Sequence, residues 1–211
     1  LNTNPGGYNS RRSLNSPKFR RHPSKFAYEC RFPPHFPRRT DRHIAARGPP
    51  AGLLAGRHLS SGLSETLKAA VVCDARLFSL VERHAGEVIA SGFQRPVPEA
   101  TEIIRLAIDI MLKELDTNIF ENRSLKRLMD FGHTFSPALE AANGFRFTHG
   151  EAVALHMCLS TALAAQLGIL PESDRDRIID AVPACGLAIS TELFDLDLCR
   201  RSLHEAELHR G

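Results

Sequence analysis

From Ser60 onward, the apolar residues of this chain recur at intervals of three and four, the spacing of one face of an α-helix. The segment SSGLSETLKAAVV opens with small polar residues suited to capping and then places Leu63, Leu67 and Val71 on one face. We therefore expect a helix from about Gly62 to Val72. A chain that continues this pattern nearly to its end must bury helices against helices.

Further segments carry the same period. A helix is predicted from Arg76 to Ala90, and the prolines and glycine of GFQRPVP end it. EATEIIRLAIDIMLKEL has one polar stripe on an otherwise apolar circumference, so we expect a helix buried on most sides. HGEAVALHMCLSTALAAQLG, with Gly168 as its C-cap, and ESDRDRIIDAV complete the pattern. No alternating strand pattern occurs, so the predicted fold class is mostly α.

The first 56 residues differ in kind from the remainder. Up to His58 there are 12 Lys or Arg against 2 Asp or Glu, whereas the rest holds 15 against 22. Prolines and like charges oppose helix and sheet, so residues 1–56 are predicted to be disordered or foreign to the domain formed by residues 57–211. A basic arm contacting nucleic-acid phosphates and an acid-poor targeting segment are the other interpretations.

Cysteine and apolar content favour a cytoplasmic protein. The five cysteines are scattered and odd in number, which indicates reduced, buried thiols rather than a disulfide framework. No apolar run reaches the roughly 18 residues that a membrane-spanning helix needs. The chain also lacks GxGxxG after an apolar strand and GxxxxGK[ST], which excludes dinucleotide binding by those two routes alone.

Two histidines, each beside a glycine, stand at the edges of predicted helices. His133 lies in DFGHTF, and His149 follows sixteen residues later in FTHGEAV. Imidazole and carboxylate are common zinc ligands, and a catalytic zinc keeps one position open, so a third protein ligand is required. The candidates are Glu65, Glu140, Glu151 and His156. The alternative is a pair of hydrogen-bonded histidines that cap helices.

Two of these candidates have simpler interpretations. His156 lies two turns after His149 in an apolar helix, which favours a hydrogen-bonded core histidine over a ligand. Glu151 lies near a helix start, where the helix dipole favours a carboxylate, although a hydrogen bond to a ligating histidine is also open to it.

Three blocks, SSGLSETLKAAVVCDARLF, RLMDFGHTFSPALE and HGEAVALHM, together resemble the metal-binding domain of the sugar phosphate cyclases, the superfamily of dehydroquinate synthase. The likeness runs from about Arg57 to the C-terminus. It implies the helical C-terminal metal-binding domain of that fold without the N-terminal Rossmann-like domain, which carries most of the NAD site in the family. The sequence is then expected to be an internal fragment, with its domain truncated at the C-terminus, or the product of a damaged reading frame.

The resemblance implies a ligand set and a set of substrate contacts. In the family one glutamate and two histidines hold the catalytic metal, and the matching residues here are Glu65, His133 and His149, as ligands of Zn²⁺ or Co²⁺. Lys68, one helical turn after Glu65, matches a lysine that contacts substrate. A cationic position that binds a phosphate oxygen falls at Lys126 or Arg127, one of which is expected to face the cleft.

A subfamily is also implied. Dehydroquinate synthases resemble NxGHTxGHxxE, whereas this chain has Asp130 in place of the asparagine and Ser136-Pro137 in place of the Gly-His pair. These changes resemble the 2-epi-5-epi-valiolone synthases, with Asp130 as a catalytic residue and Pro137 in the substrate pocket. The alternatives are that Asp130 is only an acid near a helix start, and that Ser136 is an N-cap followed by proline at the first helical position.

The implied activity is cyclisation of sedoheptulose 7-phosphate to a cyclitol, with phosphate release, through a transient NAD-dependent oxidation. The fragment alone is expected to be inactive, and the full-length form a homodimer. A 3-dehydroquinate synthase, or a relative of the iron-type alcohol or glycerol dehydrogenases, is the alternative enzyme. A non-catalytic helical bundle with a basic nucleic-acid-binding arm is the alternative outside enzymes, although a nucleic-acid partner is not favoured.

Overall fold

The structure is a computed structural model that describes residues 56–118 and 128–210. These residues form seven α-helices and one 3-10 turn, with no strand among them, which confirms the predicted mostly-α class. The elements are α1 Gly56–Cys73, α2 Ala75–Ala90, α3 Val97–Asn118, the 3-10 turn Leu128–Asp130, α4 Ser136–Ala142, α5 His149–Gln166, α6 Glu172–Ala184 and α7 Leu196–Arg210.

Helix α1 is the centre of the arrangement. It packs against α2, α3, α5 and the 3-10 turn, while α5 in turn contacts α4 and α6. The predicted start of α1 at Gly62 was six residues too late, because the helix already begins at Gly56. The extra turn and a half is stabilised from outside the helix, since Arg57 forms an ion pair with Glu151 of α5.

Helix α5 is buried on nearly all sides. Its first turns present small and aliphatic side chains such as Ala152, Val153 and Ala154, none of which is exposed. A main apolar cluster lies between α1, α2, α3, α5 and α6, and a smaller one joins Leu139 of α4 to Leu155 of α5. Helix α5 therefore fixes the position of α4 relative to α1.

Helix α3 departs from its prediction. Ala100, Ile103 and Leu106 are buried as expected, but Leu112 and Leu115 are 51% and 48% exposed. The prediction of burial on most sides was wrong beyond Ile110, where the residues from Met111 to Asp116 are exposed or partly exposed. An apolar circumference shows that a helix can be buried, and only the neighbouring elements decide whether it is.

Two capping predictions need correction. Ser136 is the first residue of α4 rather than its N-cap, since Phe135 holds that position without a side-chain hydrogen bond. Gly168 follows the C-cap Leu167 by one residue, and its positive φ of 68° is the conformation that glycine adopts readily there.

The predicted burial of the thiols holds for Cys158 and Cys185 and is wrong for Cys73 and Cys199, which are partly exposed. Cys73, Cys158, Cys185 and Cys199 are free, and burial raises the pKa of the Cys158 and Cys185 thiols to about 12. These two thiols are therefore inert, buried side chains. Within the described ranges, no helix combines the length and apolar content that crossing a bilayer would require.

Candidate metal centre

Three predicted ligands converge where the start of α5 packs against α1. Glu65 projects from the middle of α1, His133 lies between the 3-10 turn and α4, and His149 is the first residue of α5. One ligand atom from each lies within 4.8 Å of the other two. The residues are far apart in sequence, so this convergence is a property of the fold.

The distances suit a single cation. The Nε2 atoms of His133 and His149 are 3.1 Å apart, and His149 Nε2 lies 3.7 Å from Glu65 Oε1. Two ligands at about 2.0–2.1 Å from a tetrahedral zinc lie about 3.3 Å from each other. His149 is 47% exposed and Glu65 35%, so the site also opens to solvent on one side.

The two oxygens of Glu65 have different surroundings. Oε2 accepts a hydrogen bond from Lys68 Nζ at 2.6 Å, and the Lys68 side chain is only 4% exposed. Oε1 is shielded from water and accepts no hydrogen bond from any described residue. A buried carboxylate oxygen without a hydrogen-bond donor is costly unless a cation satisfies it, so the donor set fits a divalent metal ion.

His133 is held in the uncharged form that binds a metal. Burial, and then the nearby Lys68 ammonium, lower the pKa of this imidazole, while Glu65 partly opposes them. Gly132 precedes it with φ of +93°, and a side chain there would lie 2.8 Å from Val153 Cγ1 and 3.2 Å from Lys68 Cδ. The glycine therefore lets the His133 segment pack directly on α1 and α5.

The glycine after His149 serves helix packing in a similar way. A Cβ atom on Gly150 would overlap the backbone carbonyl of Ser61 on α1, and the Gly150 N–H donates to Ser61 Oγ at 3.0 Å. The start of α5 thus lies against the backbone of α1. This contact brings His149 within reach of Glu65.

A capping box fixes the first turn of α5. Thr148 Oγ1 accepts from the Glu151 N–H, and Glu151 Oε2 accepts from the Thr148 N–H. Arg57 binds both oxygens of the same carboxylate at 2.7 Å, and this guanidinium is the main reason that the pKa of Glu151 is lowered. Glu151 is therefore occupied by Arg57 and the helix cap. The alternative prediction, that Glu151 accepts a hydrogen bond from a ligating histidine, finds no support.

The carboxylate that contacts a predicted histidine ligand is instead that of Glu140. Glu140 Oε1, on α4, lies 3.0 Å from His149 Nδ1, the ring nitrogen opposite the one that faces His133. From the sequence, Glu140 is predicted only as one of several possible metal ligands. No local signal distinguishes the two roles, because the α4–α5 packing alone sets which side of the ring the carboxylate meets.

The remaining predicted residues lie at different distances from this centre. Asp130 ends the 3-10 turn, its carbonyl accepts from the His133 N–H at 3.0 Å, and its carboxylate raises the pKa of His133 slightly. Pro137 is exposed on the first turn of α4. Lys126 and Arg127 lie outside the described residues.

His156 is the core histidine that the sequence predicted. It is 1% exposed, and its Nδ1 accepts the Phe135 N–H at 3.0 Å. The rings of Phe131 and Phe135 flank it at 5.9 and 5.0 Å between centroids. His156 thus supports, from inside the protein, the loop that carries His133.

A known protein family matches most of the described domain. The sequence model of the family described as 3-dehydroquinate synthase C-terminal matches residues 62–206, which is more than half of the chain. The chain belongs to this family. The match confirms the predicted resemblance to the sugar phosphate cyclases.

The relatives of this family member include valiolone synthases and dehydroquinate synthases. A 2-epi-5-epi-valiolone synthase of Actinomyces sp is 40% identical over 158 residues, covering 73% of this chain and 41% of that protein. A 3-dehydroquinate synthase of Caldanaerobacter subterraneus subsp. tengcongensis is 32% identical over 142 residues, covering 67% of this chain and 38% of that protein. The chain spans about two fifths of the length of these relatives.

A solved structure shows the same domain. ValA, a 2-epi-5-epi-valiolone synthase from Streptomyces hygroscopicus subsp. jinggangensis 5008 determined with NAD⁺ and Zn²⁺ bound, matches with a TM-score of 0.71 at 39% identity. The match covers 75% of this chain and 43% of that one. The described helices of the family member therefore share the fold of this part of ValA.

Proposed function

We propose that this domain is the metal- and substrate-binding part of a 2-epi-5-epi-valiolone synthase-like cyclase. The substrate proposed for the whole enzyme is sedoheptulose 7-phosphate, converted to a cyclitol with loss of phosphate. The observation that carries the proposal is the convergence of Glu65, His133 and His149, with Lys68 buried beside them, in a member of this family.

The roles of the residues follow from their positions. Glu65, His133 and His149 would hold the metal ion, Zn²⁺ or Co²⁺, which when bound supplies a Lewis acid for a substrate oxygen. Lys68 holds one Glu65 oxygen and keeps positive charge beside the site, where a sugar hydroxyl that loses a proton gains stabilisation. Asp130, which ends the 3-10 turn three residues before His133 and is partly exposed, would accept hydrogen bonds from substrate hydroxyls.

The NAD requirement is proposed from the relatives. ValA was determined with NAD⁺ as well as Zn²⁺, and the chain matches 43% of it. In such an enzyme NAD supplies a transient oxidation of one substrate hydroxyl. We propose that Lys126 or Arg127 and Pro137 complete the substrate pocket, and that the 211-residue chain alone does not turn over because its relatives are more than twice the matched length.

Identity favours the valiolone synthases over the other enzymes considered. The valiolone synthase relative is 40% identical to the chain and the 3-dehydroquinate synthase relative 32%. The sequence agrees, because Asp130 and Ser136-Pro137 replace the Asn and Gly-His of NxGHTxGHxxE. An iron-type dehydrogenase and a nucleic-acid-binding bundle receive no comparable support. The basic segment 1–55 lies outside the described residues.

Two further properties belong to the same proposal. A cytoplasmic location is supported by the free thiols of Cys158 and Cys185, since disulfides are rare in reducing compartments. A homodimer of the full-length enzyme is proposed by analogy with the family. Light scattering on a full-length homologous protein tests the dimer, and a monomer at micromolar concentration would contradict it.

Zinc binding by the purified chain tests the metal assignment. Chelator competition should give 1:1 binding, and Glu65→Ala should weaken it by about 100-fold or more, because one of three protein ligands is lost. Glu87→Ala removes an exposed carboxylate from α2 and is the matched control. Equal zinc affinity for wild type and Glu65→Ala would refute the ligand set.

Phosphate release tests the activity. With zinc, NAD and sedoheptulose 7-phosphate, the chain alone is expected to release none, whereas a chimera that adds the remaining part of a valiolone synthase should restore release. Release by the chain alone would overturn the expected inactivity. A chimera that accepts only the dehydroquinate synthase substrate, or simple alcohols, would overturn the substrate assignment.

A further inference from the structure

The contact between Glu140 and His149 has a specific chemical consequence. Glu140 Oε1 lies 3.0 Å from His149 Nδ1, and the Glu140 side chain is 22% exposed. An ionised carboxylate can only accept hydrogen bonds. The proton of a neutral His149 ring is therefore placed on Nδ1, where it donates to Glu140.

The opposite ring nitrogen is then left as a lone pair that faces the site. His149 Nε2 points toward His133 Nε2 at 3.1 Å and Glu65 Oε1 at 3.7 Å. If the proton were on Nε2 instead, it would occupy the space between the three ligand atoms. The carboxylate of Glu140 thus selects the form of His149 that can bind a cation.

The position of Glu140 is set by packing on both sides of it. Leu139, the preceding residue, is fully buried and packs with Ala152 and Leu155 of α5. The Glu140 carbonyl accepts the Phe145 N–H at 2.8 Å, which closes the turn after α4. The carboxylate is therefore carried on a short helix that is anchored to the same helix as His149.

We propose that Glu140 is a positioning residue, which holds His149 in the orientation and tautomer that bind a divalent cation and is not itself a ligand. The proposal rests on the proposed metal-binding function. Glu140 contacts the far side of the imidazole ring, and the three ligand atoms that lie within 4.8 Å of one another come from Glu65, His133 and His149.

Zinc affinity and the tautomer of His149 provide two independent measurements. Glu140→Ala and Glu140→Gln are compared with wild type in the full 211-residue chain by zinc titration against a chelator. The metal-free proteins, labelled with ¹⁵N-histidine, give the tautomer from ring nitrogen shifts, and His149→Ala assigns the signal among the ten histidines. Glu87→Ala is the control for loss of a carboxylate, and circular dichroism checks folding.

Glu140→Ala is expected to lose about 10- to 100-fold in zinc affinity, the usual effect of removing such a partner. Its His149 signal should shift from Nδ1–H toward a mixture of tautomers. Glu140→Gln keeps an acceptor oxygen without the charge, so its zinc affinity should lie between those of wild type and Glu140→Ala. If Glu140→Ala does not fold, the Gln variant decides: an intermediate affinity with the Nδ1–H signal supports the proposal.

Other outcomes would overturn the proposal that Glu140 is a positioning residue. Affinity within twofold of wild type for Glu140→Ala, or an unchanged His149 tautomer in that variant, would show that the contact only joins two helices. A loss of about 100-fold or more in both variants, equal to that of His149→Ala, would indicate a ligand instead. If wild type binds no zinc, or His149→Ala binds as well as wild type, the proposed function fails rather than this inference.

Discussion

The start and the middle of helix α5 each carry a histidine, and the two behave differently. His149 is 47% exposed and has a carboxylate at Nδ1, whereas His156, two turns later, is 1% exposed and accepts a backbone N–H at Nδ1. Both lie in the same apolar segment of the sequence. The difference between them is the chemistry of the group that contacts Nδ1.

That group decides where the proton lies. A carboxylate at Nδ1 leaves the Nε2 lone pair of His149 for a metal ion, while the Phe135 N–H at Nδ1 places the proton of a neutral His156 on Nε2. A protonated nitrogen cannot be a ligand. The role of a histidine is therefore set by its hydrogen-bond partner rather than by its spacing in the sequence.

The largest expected effect is on metal binding at the start of α5. His149→Ala should reduce zinc affinity by about 100- to 1000-fold, because zinc sites bind with about 10–16 kcal/mol spread over four ligands. Unfolding in urea should change little, since the side chain is nearly half exposed. His204 is an exposed histidine on α7, and His204→Ala is the control variant. An equal loss of zinc affinity in both variants would contradict a specific role for His149.

Gly150→Ala should disturb the same region through the backbone. The new Cβ would overlap the Ser61 carbonyl, so α5 must move away from α1, at a cost of about 3 kcal/mol in the free energy of unfolding. Zinc affinity should fall as well, because His149 moves with the helix. Urea denaturation and zinc titration measure the two effects.

Gly86→Ala is the matched control for that substitution. Its Cβ would meet only Ala184 O at 4.0 Å, so the variant should be as stable as wild type or slightly more stable. Equal destabilisation by both substitutions would show that helix flexibility, and not the contact with Ser61, explains Gly150.

His156→Ala should give the opposite pattern to His149→Ala. Removing the buried ring leaves the Phe135 N–H without its acceptor and opens a cavity, which should cost about 2–3 kcal/mol of unfolding free energy. His156→Asn can restore an acceptor near the Nδ1 position and should recover part of the loss. A stability loss below that of His149→Ala would remove the distinction between the two histidines.

The smallest expected effect concerns the cap of α5. Thr148→Ala removes the side-chain acceptor for the Glu151 N–H and should cost about 1 kcal/mol, measured by urea denaturation. Thr148→Ser keeps the hydroxyl and should match wild type. Zinc affinity should change less than in Glu140→Ala, and a larger change would show that the cap, rather than Glu140, orients His149.

Much of the helical fold was predictable from the sequence. The three- and four-residue spacing of Leu63, Leu67 and Val71 identifies the core face of α1, and the predicted helix from Arg76 to Ala90 agrees with α2 within one residue. The early start of α1 was missed because Arg57 is stabilised by Glu151, a contact far away in sequence. Local patterns carry no information about such partners.

The candidate site was predictable in part and for a different reason. The motif blocks, and the family that they resemble, single out Glu65, His133 and His149, and the structure brings these three together. Burial could not be predicted in the same way, since Leu112 and Leu115 of α3 follow the apolar pattern and are about half exposed. Packing depends on which elements surround a helix.

Periodicity and side-chain chemistry are properties of short segments, so the amino-acid order alone sets the helices and the residue types that can bind a metal. Only the tertiary structure assigned one role to each of three glutamates: Glu65 faces the two histidines, Glu140 supports one of them, and Glu151 pairs with Arg57. The chemistry of a carboxylate is set by the groups that packing places around it.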